Sequence, residues 1–201
     1  REYKAIIDGD EAAFDEAVKK YNIQGVLIST LSDDPPPRII RKLYDNPLWH
    51  LVFLDESAVV FLKDSPDNKE AVSRHKINLK EYKAPQAYLR VIGIRRVYPQ
   101  PYIKRAALFS LLGKQELVFQ EANEALRITP NTSEAYKILG NTYLKSDSWE
   151  EAFKKLRAAV ILNPRDKLAL LDLSRALIGL KEYPAATRIL KGILRAKSNY
   201  A

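Results

Sequence analysis

Two pairs of acidic residues are the best candidates in this chain for a metal-binding or catalytic site. Asp8 and Asp10 stand two residues apart, a spacing with which some sugar-nucleotide transferases hold a metal ion. Asp10 also stands where a helical pattern begins, and an aspartate at such a position caps free backbone N–H groups. Asp33 and Asp34 precede three prolines, which indicates a turn. We therefore interpret both pairs as cap and turn residues, and we predict no catalytic residue.

Nucleophiles and metal ligands are otherwise scarce. The chain has no cysteine, and its two histidines, His50 and His75, do not stand at a metal-ligand spacing. The sequence patterns of phosphate-binding loops and of the hydrolase nucleophile elbow are absent as well. We accordingly expect no cofactor and no metal site, and we do not predict an enzyme.

Positive charge is concentrated in the later part of the chain. The net charge is +8, yet residues 1–64 carry more acidic than basic side chains, so the excess lies in residues 65–201. Such an asymmetry fits a solvated helical face, an acidic partner or an anionic surface. Tyrosines and arginines that could stack on bases and neutralise phosphates occur together at Tyr82, Tyr88, Arg90, Arg95 and Arg96. No nucleic-acid-binding motif accompanies them, so we favour a docking or surface role over nucleic-acid binding.

A period of 34 residues is the clearest pattern in the sequence. It defines three consecutive units without insertion, at 99–132, 133–166 and 167–200. The signature positions of the middle unit hold Tyr136, Leu139, Gly140, Tyr143, Ala152, Leu156, Ala159 and Pro164. The first four share one face of a helix, Gly140 permits a second helix to approach closely, and Pro164 ends that second helix. Each unit is therefore predicted to be a hairpin of two helices.

This pattern resembles the tetratricopeptide repeat family over about half of the chain. The first and third units match less closely, because Arg105, Val118, Ser174 and Ser198 replace the usual residue types. The resemblance implies an all-α solenoid of three helical hairpins that binds a peptide or protein segment. One hairpin cannot bury its own apolar face, and about three stacked units are needed for a stable core.

The binding surface of such a solenoid lies on the concave faces of the first helices. Repeat positions place in this groove Ile103, Ala107, Ser110, Glu134, Lys137, Asn141, Lys145, Leu171, Arg175 and Ile178. Lys137 and Asn141 match two positions with which members of the family clamp a terminal carboxylate. Asp172, however, stands where those members have Asn and would repel a carboxylate. We therefore predict an acidic or mixed segment along Lys137, Lys145 and Arg175, with the carboxylate clamp as the alternative.

Residues 1–64 combine helical and strand patterns. The predicted elements are a short helical start at 3–7, a helix at 10–21, a strand at 24–29, a helix at 38–44 and strands at 49–54 and 58–63. Asp55 and Glu56 form the turn between the last two strands, which we expect to pair antiparallel. This order of helix, strand, helix, strand, strand predicts a small α/β sandwich domain. Trp49 should be buried where a strand meets a helix.

The segments NIQGVLIS and NPLWHLVFLDESAVVFLK resemble the soluble domain after the last membrane helix of polytopic glycosyltransferase-like proteins, of the protein-mannosyltransferase and oligosaccharyltransferase type. The matching segment includes Trp49, Asp55 and Lys63. The resemblance implies a membrane-embedded parent, an extracytoplasmic or membrane-attached location and catalytic acids in a preceding part. The chain begins at Arg1 and contains no Met, so we expect a piece of a longer protein.

Two other readings remain open: a free-standing soluble adaptor, and an enzymatic or small-ligand site at the carboxyl ends of the strands, near Ser29 to Asp33.

The domain organisation follows from these patterns. We predict an α/β domain at 1–64, a basic connector at 65–98 and the repeat domain at 99–201, which makes the chain a mixed α+β protein. Within the connector we predict a helix at 68–75, a loop at 80–85 and a second helix at 86–98 that is interrupted at Gly93. Trp149 should lie partly exposed at the turn of the middle hairpin.

Overall fold

The computed structural model describes residues 4–6, 10–30, 37–85, 89–91, 94–96 and 98–198. Its first long helix begins after an aspartate. Residues 4–6 are helical. The helix α1, Glu11–Tyr21, follows Asp10, whose Oδ1 accepts a hydrogen bond from the backbone N–H of Ala13 at 3.1 Å. Asp10 is therefore the cap residue that the sequence predicts.

The chain divides into two units. One comprises Arg1–Ala87 with Ala107–Lys114, and the other comprises Tyr88–Ala106 with Gln115–Ala201. In the first unit α1 is followed by β1 (Gly25–Ser29), α2 (Ile39–Asp45), β2 (Trp49–Leu54) and β3 (Ala58–Lys63). This is the predicted order of helix, strand, helix, strand, strand.

The three strands form one antiparallel sheet with β3 in the centre, in the order β1-β3-β2. One face of the sheet is packed by apolar side chains, among them Ile28, Val59 and Phe61. Trp49 is only 5% exposed, and its ring lies 5.5 Å from the ring of Phe14 on α1. The prediction that Trp49 is buried where a strand meets a helix is confirmed.

The sheet topology argues against the alternative of a ligand site near Ser29 to Asp33. That site needs a crevice between the carboxyl ends of neighbouring parallel strands. Here the central strand β3 begins between the ends of β1 and β2, and Thr30 donates its backbone N–H to Ser57 O at 2.8 Å. The antiparallel pairing thus removes the geometric basis for the site, while Asp33 itself lies outside the described residues.

The connector contains both helical and extended structure. A 3₁₀ turn, Pro66–Asn68, leads into α3, Lys69–His75, and residues 80–85 form no helix or strand, as predicted. The second predicted helix, at 86–98, is wrong: β4 (Leu89–Val91) and β5 (Ile94–Arg96) pair antiparallel instead. Val91 and Ile94 are β-branched and Gly93 disfavours a helix, so local preference for strand prevails over the apolar spacing that suggested a helix.

Six helices follow at the predicted positions. They are α4 (Gln100–Leu111), α5 (Gln115–Ile128), α6 (Ser133–Leu144), α7 (Trp149–Leu162), α8 (Lys167–Gly179) and α9 (Tyr183–Ser198). Their succession as pairs agrees with three helical hairpins. None of the helices in the described ranges combines the length and apolar composition needed to cross a membrane.

The turn within each hairpin repeats with the predicted phase. Gly113, Asp147 and Lys181 stand 34 residues apart, and all three have a positive φ, of 70°, 54° and 63° respectively. After each of them the next residue donates its N–H to a carbonyl five residues back, for example Ser148 N to Tyr143 O at 3.0 Å. This is the left-handed helix end of a Schellman motif. The 34-residue register is therefore confirmed by backbone geometry.

The middle hairpin is closed by the approach of Gly140 on α6 to α7. A Cβ atom on Gly140 would stand 2.5 Å from Cγ of Leu156, well inside contact distance. Leu156 and Ala152 are fully buried in a core cluster that also contains Leu173 and Leu177 of α8. The second and third hairpins therefore share one apolar core, as the stacking argument requires.

Candidate functional site

The predicted groove residues fall into three groups along the chain. On α4, Ile103 is buried, whereas Ala107 and Ser110 are half-buried and belong to the other unit. On α6 the predicted residues are Glu134, Lys137 and Asn141, with Lys145 at the helix end, and on α8 they are Leu171, Arg175 and Ile178. The positions on α6 and α8 lie within one unit, and their geometry is described below. A role for the α4 positions stays a prediction.

Lys137 makes an ion pair at the start of α8. Its Nζ donates to Oδ2 of Asp166 at 2.6 Å, while Oδ1 of Asp166 accepts the backbone N–H groups of Leu168 and Ala169 at 2.9 and 3.0 Å. Burial acts to raise the pKa of Asp166. The hydrogen bonds from Lys137 and the two backbone groups act against it, and the pKa is held below its usual value. Asp166 is consequently both a helix cap and the counterion of Lys137.

Asp172 joins two of the predicted groove residues. Its carboxylate is buried on α8 and accepts a hydrogen bond from Nδ2 of Asn141 at 2.9 Å and from a guanidinium nitrogen of Arg175 at 2.8 Å. Both carboxylate oxygens are thus engaged by neighbours. Asn141 and Arg175 therefore meet at one carboxylate, which belongs to an acidic residue that sequence reasoning treated only as a repulsive element.

Apolar side chains are exposed on α8 next to this polar network. Leu168, Leu171 and Ile178 are 62%, 36% and 46% exposed, and they follow one another at helical spacing along the side that carries Arg175. Leu168 was missed in the predicted groove. It stands 34 residues after Glu134, which was included, so the period alone could have identified it.

The acidic pairs considered for chemistry have structural roles where they are described. Oδ1 of Asp55 accepts the backbone N–H groups of Ser57 and Ala58 at 2.7 and 2.9 Å, which confirms the turn between β2 and β3. Asp8, Asp33 and Asp34 lie outside the described residues, as does Tyr88 of the basic connector. Among the residues that are described, no group of three His, Cys, Asp or Glu side chains could hold a metal ion.

Comparisons with known proteins concern the helical part of the chain. The model of the tetratricopeptide repeat family matches residues 143–201. A curated relative, small glutamine-rich tetratricopeptide repeat-containing protein 2 of Mycosarcoma maydis, is 28% identical over 93 residues, or 46% of this chain. The matched region spans 26% of that relative.

Two solved structures are similar at low identity. The second tetratricopeptide repeat domain of Spaghetti (RPAP3), bound to the HSP90 peptide SRMEEVD, is 20% identical with a TM-score of 0.46, over 48% of this chain and 89% of that one. The MamA protein is 15% identical with a TM-score of 0.46, over 50% of this chain and 55% of that one. Residues 143–201 thus match the tetratricopeptide repeat family, and the 34-residue geometry of the hairpin turns agrees with this match.

Proposed function

We propose that the repeat segment is a protein-interaction module that holds an extended peptide or protein segment along the concave sides of α6 and α8. The observation that carries this proposal is the row of exposed apolar side chains on α8, at Leu168, Leu171 and Ile178, beside a fixed polar network. Scattered apolar side chains on a surface need no explanation, but a contiguous row bordered by polar groups is typical of an interaction site.

The pairing of the cations favours a mixed peptide over a purely acidic one. Lys137 is engaged by Asp166, and Arg175 by Asp172, so an incoming carboxylate must compete with an internal one at each site. Apolar contacts at Leu171 and Ile178 have no such competitor. We propose that apolar side chains supply most of the binding free energy. A peptide carboxylate adds to it by pairing with Arg175, which also pairs with Asp172 and whose side chain is 60% exposed.

The ion pairs of the groove also make a clamp for a terminal carboxylate less favourable than binding of a mixed peptide. The two groups that would hold the carboxylate, on Lys137 and Asn141, already donate to Asp166 and Asp172. A clamp would have to break both hydrogen bonds and leave two partly buried carboxylates without these donors, which is costly.

Binding of a peptide array by the intact chain and by point variants tests the proposal. Leu171→Asp and Ile178→Asp should each weaken a discovered peptide about tenfold or more, because they place a charge in an apolar contact. Ile161→Asp, at an exposed apolar position on α7, is the control and should leave binding unchanged. If the α8 variants bind as tightly as the control, the concave assignment fails.

We also propose that residues 1–64 are the soluble domain of a membrane-embedded glycosyltransferase-like parent. Support comes from the sequence resemblance and from the Trp-led strand β2, its turn at Asp55 and the returning strand β3. The coding sequence upstream of Arg1 is the test. Several hydrophobic spans are expected there, and an upstream region without such spans would favour the free-standing adaptor instead.

A further inference from the structure

The third hairpin carries an open groove away from the predicted concave residues. The groove has a volume of about 630 Å³ and lies between the start of α8 and the second half of α9. Its apolar lining is formed by Leu170, Ile189 and Ile193. Gly192 also lines it, and a Cβ atom there would meet nothing within 4 Å, so the groove is open beside the backbone of α9. We call this surface the terminal groove.

The residues that form the apolar lining differ from those of the middle hairpin. One period earlier, Leu170 and Ile189 correspond to Tyr136 and Lys155. In the middle hairpin the ammonium group of Lys155 lies 5.9 Å from the centre of the Tyr136 ring, so these two long side chains occupy the equivalent position. Leucine and isoleucine take these two positions in the third hairpin and contribute an apolar floor.

Exposed cations border this floor. Arg165 and Lys167 line the terminal groove, and both are exposed. The sequence of α9 contains no acidic residue. Within the described ranges, neither Arg165 nor Lys167 takes part in an ion pair, unlike Lys137 and Arg175.

We propose that the terminal groove binds an acidic peptide segment of a partner protein, with apolar side chains on Leu170, Ile189 and Ile193 and carboxylates at Arg165 and Lys167. Charge complementarity argues for this occupant, because the cations have no internal counterion to displace. The apolar floor distinguishes it from nucleic acid, whose phosphates would meet the cations but leave the floor uncovered. This site is separate from the concave groove of the proposed function.

Fluorescence anisotropy with a labelled synthetic peptide of alternating leucine and glutamate tests the proposal on the intact chain. The peptide should bind. Arg165→Glu combined with Lys167→Glu should weaken it roughly tenfold. The matched control, Lys154→Glu combined with Arg157→Glu on α7, changes the net charge equally at exposed positions outside both grooves and should leave the affinity unchanged.

A second peptide and a second variant make the test specific. A peptide with serine in place of leucine should lose most of the binding, because it cannot cover the apolar floor. Arg165→Gln with Lys167→Gln removes the charge without adding a like charge, and should weaken binding to an intermediate degree even if the reversed variant is less stable.

Any one of four results would overturn the proposal. The first two are no binding of the leucine–glutamate peptide at about 1 mM and equal binding of the serine peptide. The other two are an unchanged affinity in both groove variants and an equal loss of affinity in the control variant. Displacement of the peptide by a single-stranded oligouridine at the same concentration would identify a nucleic-acid site instead. Self-association of the chain that the groove variants abolish would identify a second copy as the occupant.

Discussion

The guanidinium group of Arg105 is fully buried and donates from Nε to Oε2 of Glu121 at 3.0 Å. The two residues join α4 to α5, and the Arg105 guanidinium also lies 4.7 Å from the Tyr102 ring. One and two periods later, Leu139 and Leu173 occupy the position of Arg105. The first hairpin thus has a buried ion pair where the third hairpin has two apolar residues, Leu173 and Ile189.

Breaking this pair should destabilise the protein strongly. Arg105→Leu leaves Glu121 buried without its partner and is expected to lower the free energy of unfolding by roughly 3 to 5 kcal/mol. Arg105→Leu combined with Glu121→Ile copies the residues of the third unit and should restore the parent stability or exceed it. Denaturant unfolding of the three proteins checks this. A double variant as unstable as the single one would show that the ion pair has no apolar substitute in this hairpin.

The hairpin turn of the third unit should be improved by glycine. Lys181 has a φ of 63°, a conformation that costs a residue with a side chain roughly 1 to 2 kcal/mol relative to glycine. Lys181→Gly is expected to raise the free energy of unfolding by about 1 kcal/mol. Arg157→Gly, within α7, is the control and should lower it by a similar amount, because glycine is unfavourable inside a helix. Thermal unfolding shows whether each variant is more or less stable than the parent. A destabilising Lys181→Gly would contradict the assigned turn geometry.

Two helical glycines should respond oppositely to substitution. Gly140→Leu forces a side chain against Leu156 and is expected to lower the free energy of unfolding by about 1 to 3 kcal/mol. Gly192→Ala meets no neighbour and should raise it by up to about 1 kcal/mol, because alanine favours a helix. The comparison is made by thermal unfolding. An unchanged midpoint for Gly140→Leu would mean that the repeat register is wrong.

The ion pair of Asp166 should make stability depend on pH in the acidic range. Its pKa is lowered in the folded protein, so its stabilising contribution is present above the ordinary aspartate pKa and is lost as the pH falls through the folded value. Asp166→Asn keeps an oxygen for the helix cap but loses the charge, and should cost about 1 kcal/mol at neutral pH. The difference from the parent should shrink below about pH 4. A difference that stays constant from pH 7 to pH 3 would exclude the ion pair as its source.

Periodicity made the helical half predictable. Gly140 and the turn at Asp147 follow from the 34-residue phase, because the same local sequence requirements recur in each hairpin. Arg105 was recognised as a departure from the repeat, but its buried partner was not, since Glu121 lies on another helix and no spacing rule links the two. The pairing of Asp172 with Arg175 was missed for a related reason: sequence spacing indicates that side chains are close, but not whether a nearby charge repels a ligand or binds a neighbour.

The α/β half was predictable in its order of elements but less so in its connector. Asp10 as a cap and Asp55 as a turn residue act through the backbone of their own neighbours, so sequence alone identifies them. The hairpin of β4 and β5 was mistaken for a helix, because short apolar segments around Gly93 fit either period and only pairing between strands distinguishes them.

Nuclear magnetic resonance of the intact chain, titrated with the tightest peptide from the array, maps the peptide-binding surface residue by residue. We expect saturable shifts of backbone amide signals along α6 and α8, including Lys137, Asn141, Leu171 and Ile178, and the loss of these shifts in Leu171→Asp but not in Ile161→Asp. Saturable shifts confined to other surfaces, or identical shifts in both variants, would contradict this expectation.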